Sequence, residues 1–410
     1  TSYIVASAIM TPVTGWLSDR IGLCELFIAS VAGFIVASML CGMATSLTEM
    51  VVFRTLQGIA GAALVPLSQT VLLNINSREE HGRAMAIWGA GIMVGPIIGP
   101  VLGGWLTDSF GWRFVFYVNL PVGLLALAGL VVFLPRSEKR QRSFDFFGFA
   151  MLSIAIGALQ LMLDRGEQVD WFASPEIWIY LGLTVSGLWA FVIHITGREH
   201  AFIDPHIFRD ANLVMALVMI FMVGLILLAG LALLPPMLQG VMGYPVVTAG
   251  LVMAPRGVGT MISMLVVGRL VGKVDARLLI LTGLGLTALS LWQMTGFSIL
   301  MDSRPVIVSG VVQGLGLGLV FVPLSTIAFA TLEPRFRADA ASLFSLIRNI
   351  GSSVGISIVT VQLARNIAVN RAELVSKLTP ASPNLDQLAG VAGDPTTALA
   401  MLNAQVQAQS

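Results

Sequence analysis

Apolar stretches long enough to cross a bilayer follow one another along nearly the whole of this chain, and that succession decides what it can fold into. A spanning helix needs roughly 20 predominantly apolar residues. Such stretches are expected at about 1–17, 25–46, 48–76, 83–107, 114–135, 145–164, 175–197, 211–237, 245–272, 277–299, 304–331 and 337–366, about twelve in all. Lipid cannot satisfy an exposed peptide group, so only helices and closed barrels cross it. The runs lack the alternation of a barrel strand, which leaves a helical bundle. Composition agrees: 11% of residues are charged, against about 25% in a soluble domain.

Lys and Arg set the orientation, because basic loops stay on the cytoplasmic side. Every second loop is basic: Arg20; Arg78 and Arg83; Arg136, Lys139, Arg140 and Arg142; Arg198 and Arg209; Arg269, Lys273 and Arg277; Arg335 and Arg337. The alternate loops hold chiefly Arg113, Arg165 and Arg304. The polar segment 367–410 then falls outside, with Arg365, Arg371 and Lys377 weakly opposing.

Within this frame the chain repeats itself. Arg54 to Ser68 reads RTLQGIAGAALVPLS, and Gly310 to Ser325 reads GVVQGLGLGLVFVPLS. Each places Gln-Gly near its start and Pro-Leu-Ser near its end. Repeated halves with a binding site between them characterise secondary transporters.

Several residues stand out against the apolar background. Arg54 lies inside a spanner, where a cation is expensive and a functional role is the default reading. The repeat puts Gly310 in its place, so the fold itself does not demand an Arg; the plainer alternative is a structural partner for a carbonyl or carboxylate. Arg256, and the pair Arg348-Asn349, either face a cavity or sit at helix ends and reach the interface. Asp164 beside Arg165 reads as an interfacial pair. Gly15, Asp19, Arg20 and Gly22 form a polar loop motif: Gly permits a tight turn, and Asp19 can accept from a neighbouring helix N-terminus or an Arg. GRLVGKVDAR at 268–277 is a diverged copy. Gly91, Gly95, Gly99 and Gly103 recur every four residues, a stripe that a partner backbone can approach closely, while Pro96 and Pro100 bend the same helix. That stripe is packing alone, or packing plus a seam that controls leakage. Gly351 and Gly355 make a shorter stripe.

Other chemistries find no support. No Gly-rich segment ends in Gly-Lys-Ser/Thr. His81, His194, His200 and His206 do not cluster at metal spacing, and no Ser has a matched His and Asp. Nothing implies an enzyme, a cofactor or a metal. A net charge of +1 gives no electrostatic attraction to nucleic acid. Cys24, in a polar loop, and Cys41, in an apolar helix, are expected to stay unpaired.

Gly15-x-Leu17-x-Asp19-Arg20-x-Gly22 resembles the loop motif of the major facilitator superfamily, and Arg54-x-x-Gln57-Gly58 its fourth-helix motif. Gly91-x-x-x-Gly95-Pro96-x-x-Gly99-Pro100-x-x-Gly103-Gly104 resembles the fifth-helix motif of proton-driven antiporters. The segment Gly111 to Gly123, GWRFVFYVNLPVG, with Leu163-Asp164-Arg165-Gly166 and Asp170-Trp171-Phe172, resembles the fourteen-spanner drug:proton antiporters, EmrB-type multidrug efflux permeases among them. The resemblance covers almost the whole chain. It implies two pseudo-symmetric six-helix halves plus two extra central helices, 145–164 and 175–197, since eight spanners separate the two loop motifs where six would suffice. The units are then 1–143, 144–200, 201–366 and an extracytoplasmic loop at 367–410. In the family the loop motif follows the second helix, so the resemblance places the first spanner before Thr1 and the last after Ser410. It puts an acidic residue linked to proton coupling on that first spanner.

The implied activity is proton-driven efflux of amphipathic drugs or toxic compounds across a bacterial inner membrane, from a cavity open to the cytoplasm. Arg54, Gln57, Arg256, Arg348 and Asn349 are the transport and coupling candidates, Asp19-Arg20 a latch and the stripe the moving seam. Partners implied are membrane lipid, protons, amphipathic substrates and, by resemblance alone, a periplasmic adaptor and an outer-membrane channel. An exporter of one metabolite or lipid, and a non-transporting sensor or scaffold, are the alternatives.

Overall fold

The computed structural model describes residues 2–134, 139, 143–197, 201–298 and 300–376, with the backbone alone at 228 and 373–376. Arg136, Arg140, Arg142, Arg198, His200 and the stretch from Lys377 to Ser410 lie outside the described residues.

The described chain is a succession of helices: α1 Ser2–Met10, α2 Val13–Ile21, α3 Leu23–Met43, α4 Leu47–Gly61, α5 Leu64–Ile75, α6 His81–Phe110, α7 Phe114–Tyr117, α8 Asn119–Phe133, α9 Phe146–Arg165, α10 Pro175–Thr196, α11 Ala211–Pro236, α12 Val246–Leu270, α13 Ala276–Met294, α14 Arg304–Ala330 and α15 Arg337–Ser376. Among the described residues 11 helical stretches are long and apolar enough to cross a membrane. The twelfth expected span, near 1–17, is two short helices. Its break falls at Pro12, which has no N–H to donate. The last span runs on unbroken to Ser376, beyond the expected end near 366.

Helix starts follow local chemistry. Ser46 accepts from Glu49 N–H while the Glu49 carboxylate reaches back to Thr45 N–H (2.8 Å), a capping exchange that opens α4. Asp145 opens α9 by accepting from Gly148 N–H, and Asp210 opens α11 by accepting from Asn212 and Leu213. A single residue, Gly22 at φ +107°, joins α2 to α3, in a conformation that suits glycine. Cys24 therefore begins a helix and is buried, correcting its expected place in a polar loop. Neither cysteine is in a disulfide.

Helices α1–α8 form one half and α11–α15 the other. In the second half α12 packs on α14, α11 on α15 and α13 on α14; in the first, α3 packs on α4 and α8, and α1 on α4. In lipid such contacts rest on close packing at small residues more than on hydrophobic drive. Gly351 and Gly355 accordingly lie against the Phe221 and Leu225 carbonyls of α11, and Gly314 against the Arg256 carbonyl of α12.

The halves meet along two lines. On one side α6 packs on α12. On the other, α15 packs directly on α2 and α5, and the extra helix α9 touches both α1 and α15 and carries α10. At the basic ends a core of Leu73, Met85, Phe329 and Phe344 joins helices of both halves.

Candidate transport site

Arg54, in mid-α4, is half-buried. Its Nη1 donates to Gln57 Oε1 (3.2 Å), one turn on, and its guanidinium sits 4.6 Å from the centre of the Phe116 ring, within cation–π range. Gln57, 2% exposed, passes the connection on. Its Nε2 donates to Ser38 Oγ (3.1 Å), which also accepts from Asn119 Nδ2 (2.8 Å) and donates to the Phe116 carbonyl (3.2 Å). One hydroxyl thus ties the fourth-helix motif to the Trp-Arg…Asn segment. Arg113 fixes the same segment by donating to the Ala44 carbonyl (3.3 Å) while lying over Trp112. Gly42 on α3 makes room for the Tyr117 ring.

Nothing in the sequence singled out Ser38. A Ser inside an apolar helix is an ordinary small residue there, and only its two amide partners give it importance.

In the second half the geometry departs from the repeat. Gln313, counterpart of Gln57, is fully buried, and neither amide atom has a hydrogen-bond partner. Gly310, counterpart of Arg54, lies against Arg256 of α12. Arg256 is 7% exposed, its Nη2 donates to the Leu227 carbonyl (2.9 Å), and its Nη1 is buried without a partner. It stands in the middle of its helix with its head inside the bundle, so it does not reach for the interface. Arg348 and Asn349 are half-buried in α15, and the Arg348 carbonyl meets Gly224 of α11. Among the described residues no hydrogen bond, ion pair or ring contact joins Arg54, Arg256 and Arg348, which take different partners. Arg165 takes Glu176 as its ion-pair partner (2.8 Å).

The loop motif works at the junction of the halves. Gly15 lies so close to the Asp339 carboxylate of α15 that a Cβ there would collide with it. Beside it, Arg337 Nη1 donates to the Leu73 carbonyl (2.9 Å) and to Asn74 Oδ1 (3.0 Å). Arg20 rests over Trp16, 5.4 Å from the ring centre. The basic ends of the halves are therefore in contact, where the sequence led to a cavity open on that side.

The α6 stripe is the main correction. A Cβ at Gly91, Gly95, Gly99 or Gly103 would meet nothing within 4 Å. These glycines face open space. Close approach to α12 comes from the other face: Gly104 against Val246 and Val247, Gly250 against Pro100 and Val101, Gly257 against Ile97, and Gly268 against Ala86. The helix continues through Pro96 and Pro100. At the opposite end from the basic face, Gln160 of α9 and Ser353 of α15 hold each other, Nε2 to Oγ at 2.9 Å and Oγ to Oε1 at 3.0 Å. The extra helix is thus a bridge between the halves.

Charge within the spans is one-sided. Among the described residues, the Asp and Glu of spanning helices lie in first or last turns, whereas Arg54, Arg256 and Arg348 stand several turns inside.

Comparison with known proteins puts these features in context. The profile of the Major Facilitator Superfamily matches residues 1–356. The chain is 35% identical over 392 residues to the fatty acid resistance protein FarB of Neisseria gonorrhoeae, covering 95% of this chain and 77% of that one. It is 36% identical over 386 residues to the multidrug export protein EmrB of Haemophilus influenzae, covering 93% and 76%. The EmrB of Escherichia coli K12 is 34% identical over 387 residues, covering 94% and 76%. Among solved structures, the human organic anion transporter MFSD10 aligns with a TM-score of 0.62 at 16% identity, covering 87% and 75%. The proton:xylose symporter XylE aligns at 0.59 and 14%, covering 99% and 83%. At those identities the structures speak for the fold.

Proposed function

The chain belongs to the major facilitator superfamily, and from that premise we propose that it exports amphipathic toxic compounds in exchange for protons, by alternating access between its two halves. The relatives named for multidrug export, which match over more than nine-tenths of this chain, support the substrate class. Units at 1–143, 144–200, 201–366 and 367–410 describe its halves, its inserted pair and an outer loop. A bacterial inner membrane, a periplasmic adaptor and an outer-membrane channel complete the reading, as those relatives suggest.

The observation that carries the mechanism is the Arg54–Gln57–Ser38–Asn119 chain. It holds a guanidinium within a spanning helix, in a fixed orientation, at a half-exposed position. A fixed cation of this kind lowers the proton affinity of any carboxylate brought beside it, and its effect grows in a low dielectric. Arg54 is the coupling residue on this view. The Gly15–Asp339 contact is a latch that must part when the basic face opens. The glycine stripe presents a smooth wall to whatever moves past it.

Efflux of a fluorescent amphipathic dye from cells expressing the protein, with and without a protonophore, is the test. Protonophore-sensitive efflux supports the reading; efflux that continues unchanged in a collapsed proton gradient overturns it. A second reading, export of amphipathic anions such as fatty acids, is favoured by the three interior arginines with no interior carboxylate among the described residues. The relative named for fatty acid resistance points the same way. Competition of dye efflux by a long-chain fatty acid separates the two.

A further inference from the structure

The first loop motif finds its partner in Asp339, but its diverged copy at 268–277 has no place in the site above. That copy lines a cavity of about 510 Å³ between the basic-face ends of α6 and α12. We propose that this cavity binds a phosphate-bearing anion, the headgroup of an acidic phospholipid, and that the bound headgroup staples the two halves together.

Three cations converge on it: Arg83 from α6, and Arg269 and Lys273 from α12 and the turn after it. No carboxylate is among the residues lining it. None of the three cations has an ion-pair partner among the described residues, and all three are exposed. The turn is built to hold Lys273 in place. Gly272 adopts φ +88°, and the N–H groups of Lys273 and Val274 both donate to the Leu270 carbonyl (2.9 and 3.0 Å).

The cavity is also amphipathic in the right direction. Four residues into α6 from Arg83 stands Ile87, and four residues back along α12 from Arg269 stands Leu265, 57% and 45% exposed. Each lies about one helical turn, roughly 5.4 Å, deeper than its Arg. A cationic rim above an apolar floor suits a phosphodiester whose acyl chains run inward. Inorganic phosphate has no use for the floor. Each Lys or Arg near the membrane surface attracts an acidic headgroup through its charge, and basic pockets between spanning helices on the cytoplasmic side take such headgroups.

The site straddles the seam. Gly268 lies against Ala86, and Gly82 against Val271, so the halves touch beside the pocket. An anion shared by Arg83 and by Arg269 with Lys273 offsets their mutual repulsion only while the halves stay joined. Acidic lipid therefore biases the molecule toward the state closed at the basic face.

The test uses the whole protein in nanodiscs of phosphatidylcholine with a minor fraction of fluorescent phosphatidylglycerol. The triple variant R83Q/R269Q/K273Q should bind phosphatidylglycerol on the order of a hundredfold more weakly. The charge-conserving R83K/R269K variant should keep most of the binding, which separates lost charge from lost fold, and thermal unfolding of all three forms checks that fold directly. A second arm adds inorganic phosphate. Failure of phosphate to displace the lipid supports the headgroup; complete displacement by phosphate at matching affinity overturns the lipid as the source of the anion. Wild-type binding of phosphatidylglycerol by the triple Gln variant overturns the site.

Discussion

The backbone of Gly310 packs against Arg256, so that a Cβ at Gly310 would stand 3.4 Å from the Arg256 Cβ. Gly310 occupies the place that the first repeat gives to Arg54. The first repeat thus carries its arginine on α4 itself, whereas in the second the arginine beside the matching position comes from the neighbouring α12. A glycine on α14 is what leaves room for that arginine.

That arrangement makes Arg256 a sharp test of structure against function. Its Nη1 is buried without a partner, and a buried charge that is not fully compensated costs stability that an apolar residue of similar size does not. Arg256→Met is expected to leave the thermal midpoint in detergent unchanged or higher while reducing efflux at least tenfold. Normal efflux by this variant would assign Arg256 to the fold alone.

Arg54 carries the opposite expectation in substitution chemistry. Its guanidinium both donates to Gln57 and lies over Phe116, a geometry that an ammonium does not reproduce. Arg54→Ala should abolish protonophore-sensitive efflux, and Arg54→Lys should recover only part of it. Whole-cell efflux at matched expression decides this, and full activity in either variant removes the coupling role.

Ser38 holds two amide side chains and one carbonyl. Ser38→Ala takes the acceptor from both amides, at about 1–3 kcal/mol for a buried group left unpaired. The pairwise coupling of Gln57 with Asn119, read from a double-mutant cycle, should be near 0.6 kcal/mol and no more than about 1.7 kcal/mol, as for hydrogen bonds between spanning helices. It should vanish in the Ser38→Ala background. Chemical unfolding in mixed micelles measures it; coupling that persists without Ser38 would disprove the bridge.

Asp145 joins the inserted helices to the second half. Burial raises its pKa, but hydrogen bonds from Gly148 N–H, His194 Nε2 and Phe202 N–H outweigh burial and leave it lowered. A carboxylate with a lowered pKa contributes stability above its unfolded pKa of about 3.9 and loses it as pH falls through the folded value. Thermal stability should therefore decline below about pH 4 in the wild type. Asp145→Asn should be less stable near neutrality and lack that part of the acid-side decline. Parallel curves for the two proteins would show that Asp145 has no share in it.

Much of this was legible in the sequence, and what was not has physical causes. The bundle, the spans and the places of Arg54 and Gln57 follow from polarity against an apolar background, because lipid makes every interior charge conspicuous. Ser38 was hidden because hydroxyls are common in spanning helices and its partners come from 19 and 81 residues away. Pro12 broke a span that hydropathy alone reads as continuous. Which way the glycine stripe faces is not legible for a different reason. Spacing by four says which residues share a face, but the direction of that face depends on where α12 lies, and no local pattern in α6 records it.

The two glycine faces of α6 and α12 give the last prediction. Gly257 sits against Ile97, so a larger residue there must push α12 off α6; overpacking of this kind typically costs about 1–3 kcal/mol. Gly95 faces open space in a helix where Gly is roughly 1 kcal/mol less favourable than Ala. Gly257→Leu should lower the thermal midpoint by several degrees, whereas Gly95→Ala should leave it equal or higher. If Gly95→Ala nevertheless slows efflux, the stripe is needed in a conformation other than this one, where a helix or a substrate slides along it. If Gly95→Ala transports normally and Gly95→Leu does too, the stripe has no part in the cycle. Thermal unfolding and efflux, measured on the same preparations, separate the contact made in this conformation from one made only during transport.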